Sequence, residues 1–208
     1  MIEPHILLVF FTASILLALA PGPDNLFVLA QSAQNGRSAG FFVTLGLCTG
    51  LIGHTTAVAF GLAAFVRASA VAFTALKFMG AAYLLYLAWQ AFRAGTDASA
   101  EMKTAEFSKG TLYRRGIIMN ITNPKVSLFF LAFLPQFADP ALGPLVLQFF
   151  LLGSVFIFAT VLVFGIISIM AGGVAEKFRD SAFARKSVNR MAGTVFVGLA
   201  LKLVLSER

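Results

Sequence analysis

Charge is what this 208-residue chain has least of: 12% of its residues are Asp, Glu, Lys or Arg. An ordinary soluble domain carries about twice that share. So little polar surface excludes a water-soluble globule. The 59% hydrophobic content equally excludes a disordered chain. There is one cysteine, Cys48, which excludes an intrachain disulfide and a two-thiol redox relay. Its apolar neighbourhood marks it as a small buried filler. There are two histidines, far apart, with no H-E-x-x-H pattern. Two distant histidines are a poor basis for the general base or the metal-ligand set that an enzyme inside the membrane would need. No cofactor and no metal are expected.

What is present is apolar. Mean hydropathy is +0.87, with 23 Phe and 18 Gly, a composition suited to lipid-facing helices with close crossings. The net charge of +7 would point to nucleic acid in a soluble protein. Here no RNP-like motif, zinc-finger spacing or Arg-rich helix supports that partner. Basic residues gathered in cytoplasmic loops explain the charge better.

The charges cut the chain into long apolar runs, and about 20 such residues cross a bilayer. Only helices satisfy the backbone of such runs in lipid. The reading is an all-α membrane protein of six transmembrane helices, near 5–29, 38–66, 71–92, 113–137, 144–172 and 187–206. The second and fifth exceed the bilayer thickness, so tilt or a kink is expected. Ala18-Leu19-Ala20 resembles a signal-cleavage site, but Glu3 without Lys or Arg, and Pro21 just after it, argue for a retained first helix. The hydrophilic stretches 93–115 and 176–190 read as solvated loops. Eleven of the 16 Lys and Arg fall on one side, which orients those loops to the cytoplasm and both termini outside.

The two halves resemble each other in order. Gly22-Pro23-Asp24-Asn25 matches Asn123-Pro124-Lys125-Val126, Leu45-Gly46 matches Leu152-Gly153, and Lys77–Gly80 matches Arg190–Gly193. The expected organisation is one transmembrane domain: a three-helix repeat over 1–92, a cytoplasmic linker over 93–112, and a second repeat over 113–208. Three helices per repeat invert the second copy, an architecture typical of secondary transporters.

Proline breaks fall inside both opening helices, at Pro21-Gly22-Pro23 and at Pro124. Proline removes an amide donor and clashes with the preceding turn. A broken helix is tolerated in a bilayer where it is buried or lines water. Asp24 and Lys125 directly follow the prolines at matching positions. A charge on a membrane helix costs about 2.5–3.5 kcal/mol on insertion scales. Three readings stay open: a structural ion pair, a site for a zwitterion, and a proton-carrying Asp24. Asn25, Asn120 and Asn123 either bind ligand or repair the broken backbone. His54 is a second proton-coupling candidate or a packing residue. Gly46 and Gly50 suit a close helix crossing and also permit a homo-oligomer. Lys77 and Arg190 read as snorkelling to headgroups, and Tyr83, Tyr86 and Trp89 as an interfacial belt.

With these residues in view, the chain resembles the LysE/RhtB family of amino-acid exporters. The resemblance rests on Pro21-Gly22-Pro23-Asp24 with Asn25-Leu26-Phe27, on Gln34 to Gly40, on Leu76 to Leu84, and on Gly116 to Lys125 followed by Leu134-Pro135-Gln136-Phe137. It implies a multi-pass protein of the bacterial inner membrane. It implies proton-coupled efflux of an amino acid such as homoserine, threonine, leucine or lysine, with the homoserine/threonine branch nearest. Amino-acid substrate, protons and the lipid bilayer are then the partners. A passive channel, or an exporter of another small metabolite or ion, is the competing class.

Overall fold

The computed structural model describes residues 2–20, 22–62, 70–93 and 107–205, all helix, turn or short connection. Pro21 lies outside the described residues, as does most of the expected 93–112 linker. Several helices start where the sequence supplies a stop or a cap. Helix α1 (Pro4–Leu19) and α2 (Pro23–Asn35) both begin on a proline, whose missing N–H costs nothing in a first turn. Gly36 has φ 79°, a conformation suited to glycine, and turns the chain directly into α3 (Arg37–Ala57). A wide π turn over Val58–Leu62 extends α3. Helix α4 is Ala70–Arg93. The Ser108 side chain accepts from the Thr111 amide and starts α5 (Lys109–Thr122). Asn123 and Pro124 start the short α6 (Pro124–Leu128), which continues through a π turn at Phe129–Phe133 and a tight turn at Leu134–Phe137. Helix α7 is Leu145–Asp180 and α8 is Ala182–Leu205.

Among the described residues two helices are long and apolar enough to cross a membrane, over Arg37–Gly61 and Leu145–Ala171. Two bent pairs meet the same test: α1 with α2, at 63°, and α5 with Pro124–Phe137, at 51°. Leu8, Ile52, Phe158 and Ile169 are more than half exposed, as side chains facing lipid tails should be. The protein is an all-α membrane protein. One expectation is corrected. The 176–190 stretch is not a loop: α7 runs to Asp180 and α8 resumes at Ala182, leaving only Ser181 between them. At 36 residues, α7 is roughly 54 Å long and outreaches a bilayer core of about 30 Å. Its charged end can be helical because it need not lie in lipid.

Packing follows the small residues. A Cβ on Gly46 would strike the Tyr113 carbonyl oxygen and come within 2.9 Å of Gly116 Cα, so α3 and α5 cross backbone to backbone. A Thr49–Tyr113 hydroxyl pair at 2.9 Å joins the same helices. Among the described residues, three helix pairs that join the two halves of the chain run antiparallel. Lys125 meets Leu17 and Ala20 while Phe129 meets Phe10. Gly40 lies on Ser168 and Gly153 on Thr55; Gly80 touches Leu203 and Gly193 touches Phe92. Along α4, Tyr83, Tyr86 and Trp89 form a row of rings spaced 5.9 and 6.1 Å, and Arg93 sits 4.9 Å from the Trp89 ring.

Two apolar cores result. The larger is aromatic, with Phe10, Phe129, Phe130, Phe133, Phe137 and Phe156 in ring-to-ring contact. The smaller gathers Val28, Val43, Leu47, Val163 and Phe164 from α2, α3 and α7.

Candidate functional site

The two proline breaks meet. Helix α1 stops at Leu19 and α2 restarts at Pro23, which leaves α1 carbonyls without helical donors. Lys125, the second residue of α6, points its ammonium at them. Its Nζ donates to Leu17 O at 3.4 Å and Ala20 O at 3.1 Å. The same atom reaches Asp24 Oδ1 at 3.2 Å and Asn25 Oδ1 at 3.4 Å. Four acceptors surround three N–H donors, so one bond is shared. Both charged side chains are 5% exposed.

The electrostatics favour this placement. Asp24 lies in the first turn of α2, the positive end of that helix dipole. Lys125 lies at the wrong end of α6 for a cation, but it faces the carbonyl end of α1 and the Asp24 carboxylate. Gly22 provides the room: a Cβ there would stand 2.6 Å from Asp24 Oδ1 and 2.9 Å from Lys125 Nζ. Its φ of −163° is ordinary extended backbone, so space rather than conformation calls for glycine.

The asparagines take distinct places. Asn25 Nδ2 donates to Ala18 O at 2.6 Å, repairing a carbonyl left by the break. Asn123 Oδ1 accepts from the Lys125 amide at 3.0 Å and caps α6, while its Nδ2 is buried without a partner among the described residues. Asn120 packs against Gly50, and its Oδ1 is likewise unpartnered. His54 stands apart. Its Nε2 lies 3.3 Å from the Asn120 carbonyl and its ring 5.6 Å from Phe130. No hydrogen bond joins it to Asp24 or Lys125 among the described residues.

Beside the pair is a cavity with room for about 10 Å³ of water-sized centres, the space of one water. Leu17, Leu51, Asn120, Phe156, Thr160 and Phe164 help to line it. Thr160 was not singled out from the sequence, where it is one of three hydroxyls, with Ser154 and Ser168, in the apolar stretch of α7. The carbonyls of Leu17 and Ala20 carried no signal at all, because backbone looks the same at every position. Among the described residues no group of three His, Cys, Asp or Glu is placed to hold a metal ion.

This central pair on two broken membrane helices invites comparison with known proteins. Over 203 residues the chain is 29% identical to an uncharacterized membrane protein of Vibrio cholerae, covering 98% of each chain. An uncharacterized membrane protein of Pseudomonas aeruginosa is 31% identical over 192 residues, 89% of this chain and 88% of that one. The uncharacterized membrane protein YrhP of Bacillus subtilis is 29% identical over 97% of this chain and all of its own. No solved structure matches. The LysE type translocator model matches residues 15–207, nearly the full length. The chain therefore belongs to the LysE type translocator family.

Proposed function

We propose that the protein is a proton-coupled exporter of amino acids across the bacterial inner membrane, working by alternating access around Asp24 and Lys125. The observation that carries this reading is the buried 3.2 Å Asp24–Lys125 pair, mounted on two proline breaks. A free amino acid presents the same two charges. Its ammonium would take the place of Lys125 on Asp24. Its carboxylate would take Lys125, together with the unpartnered Asn123 Nδ2. Substrate and protein thus exchange partners without leaving a charge bare in the interior, which would be the costly outcome. Space for one water admits no amino acid, so binding requires the breaks at Gly22 and Asn123 to open. Protonation of Asp24 would release its ammonium ligand, and His54 is the second candidate for carrying a proton.

Six spans in two inverted three-helix repeats suit this mechanism. The antiparallel relation of α3 to α7 and of α4 to α8 supports them, since inversion demands it of equivalent helices. The organisation follows: repeats over 1–92 and 113–208, a cytoplasmic linker between, and both termini outside.

The test is counterflow. Proteoliposomes carrying the wild-type protein and loaded with unlabelled L-amino acids should transiently accumulate at least one labelled substrate among homoserine, threonine, leucine and lysine. A protonophore should slow net efflux. Accumulation of none of the four would overturn the amino-acid assignment. Uptake that never exceeds equilibrium indicates a passive channel. Orientation has its own check. Lys109 is exposed at the start of α5. A cysteine there, with Cys48→Ala, should react with an impermeant thiol reagent in inside-out vesicles and stay unreactive in right-side-out ones.

A further inference from the structure

Serine and threonine hydroxyls inside helices usually donate to the carbonyl one turn back. Buried Ser14, Thr44 and Thr55 do so here, at 2.7, 2.9 and 2.8 Å. Two buried serines do not. Ser32 on α2 is 3% exposed and Ser168 on α7 is 1% exposed, and neither hydroxyl has a hydrogen-bond partner among the described residues. Both face one point, the place where Gly40 of α3 lacks a Cβ. Gln31, the residue before Ser32, is fully buried. Its Oε1 accepts from Asn35, but its Nε2 has no partner. Buried polar atoms left unpaired in this way are rare and costly. Three of them lie at one level of the molecule.

That level has a definite relation to the centre. Asp24, Leu51 and Thr160 line the central cavity. Eight residues along α2 and α7, and eleven back along α3, lie Ser32, Ser168 and Gly40. At 1.5 Å per residue the two levels are roughly 12–16 Å apart. Between them is the smaller apolar core, Val28, Val43, Leu47, Val163 and Phe164, about one turn thick on each helix. The Ser32 level lies toward Gly36 and Arg37, the side assigned to the cytoplasm. On the opposite side the centre is closed by the larger aromatic core. Gln148 staples the connection beyond that core, donating to the Asp139 and Gly143 carbonyls at 2.7 and 3.0 Å.

We infer that Ser32, Ser168 and Gln31 form an entry station for the amino-acid substrate on the cytoplasmic side, separated from the Asp24–Lys125 centre by a thin apolar gate. The inference rests on the exporter reading above. Two hydroxyls at one point are neutral donors suited to a carboxylate, and Gln31 adds an unpaired amide N–H at the same level of α2. Without a basic side chain they hold it loosely, as a site that must pass its ligand onward should. A Cβ on Gly40 would collide with both hydroxyls, so glycine is what lets them meet against α3.

The experiment uses Ser32→Cys and Ser168→Cys, each in a Cys48→Ala background, in inside-out vesicles. The probe is a membrane-impermeant methanethiosulfonate. Both cysteines should be modified, and an added mixture of L-amino acids should slow modification by roughly two- to tenfold, the worth of a neutral hydrogen bond or two. Protection should persist when Asp24→Asn is added, because the station binds independently of the centre. A second readout is the Ser32→Ala, Ser168→Ala double variant. Its KM for efflux of the best wild-type substrate should rise by a similar factor, with kcat little changed. Three results would overturn the station. No modification from inside makes the serines plain packing groups. Modification without protection makes this a water-filled passage. Protection that vanishes with Asp24→Asn is transmitted from the centre. If the wild type exports no amino acid, the parent reading falls and the station with it, a result the counterflow assay reads separately.

Discussion

Lys125→Ala is expected to abolish transport and to destabilise the folded protein by about 3–5 kcal/mol, because it leaves the Asp24 carboxylate buried and unpaired. It also strips the Leu17 and Ala20 carbonyls of their donor. Loss of activity alone would not separate a transport site from a pin between helices. The double variant Asp24→Asn, Lys125→Met separates them. Replacing a buried pair by uncharged groups of similar size is often neutral or stabilising. The double variant should therefore recover most of the thermal stability lost by Lys125→Ala in detergent. Transport should stay absent, since neither charge remains to meet a zwitterion. Recovery of transport along with stability would reduce the pair to structure. Two measurements on one purified sample decide it: melting temperature and counterflow.

The second large effect is expected at the α3–α5 crossing. A Cβ at Gly46 meets backbone, the Tyr113 carbonyl and Gly116 Cα at 2.9 Å. One at Gly116 meets the Val43 carbonyl and Gly46 Cα at 3.0 Å. Backbone cannot rotate away as a side chain can. Gly46→Val and Gly116→Val should each cost roughly 2–3 kcal/mol by overpacking. Each should also push Asn120 and the α5–α6 break away from α2, lowering transport with stability. Gly53→Val is the control. An added Cβ there has nothing within 4 Å, so melting temperature should hold. A Gly46→Val protein as stable as the wild type would show that the helices do not cross this closely.

The same glycines show how far a sequence can be read. Gly46 and Gly50 announced a close crossing by their spacing, but spacing names no partner. The partner is α5, and Gly116 completes the contact from 70 residues away. The hydrophilic 176–190 stretch failed as a loop for a related reason. Polarity reports what a segment can touch, and a helix that leaves the bilayer touches water as readily as a loop does. His54 was a candidate as the titratable side chain of its helix, and Asn120 as an amide beside a proline break. The 3.3 Å contact of His54 with the Asn120 carbonyl and the tilted His54–Phe130 ring contact place the imidazole on the flank of the pair rather than within it. Ser32 and Ser168 gave no warning, since a serine whose back-bond is missing looks in one dimension like any other.

The scarcity of charge determined a great deal by itself: a membrane protein, helical across its apolar runs, broken at Pro23 and Pro124, with Asp24 and Lys125 on those breaks. These are local properties. A bilayer acts on the hydropathy of each segment as it inserts, and a proline breaks its own helix wherever that helix lies. Whether the two ions touch was a tertiary question. They are 101 residues apart. Their contact depends on α1 and α6 running antiparallel, on the room left by Gly22, and on carbonyls freed where α1 ends. Only packing in three dimensions brings an ammonium, a carboxylate and broken backbone to one point, because the energy that holds them is a sum over groups no single segment contains.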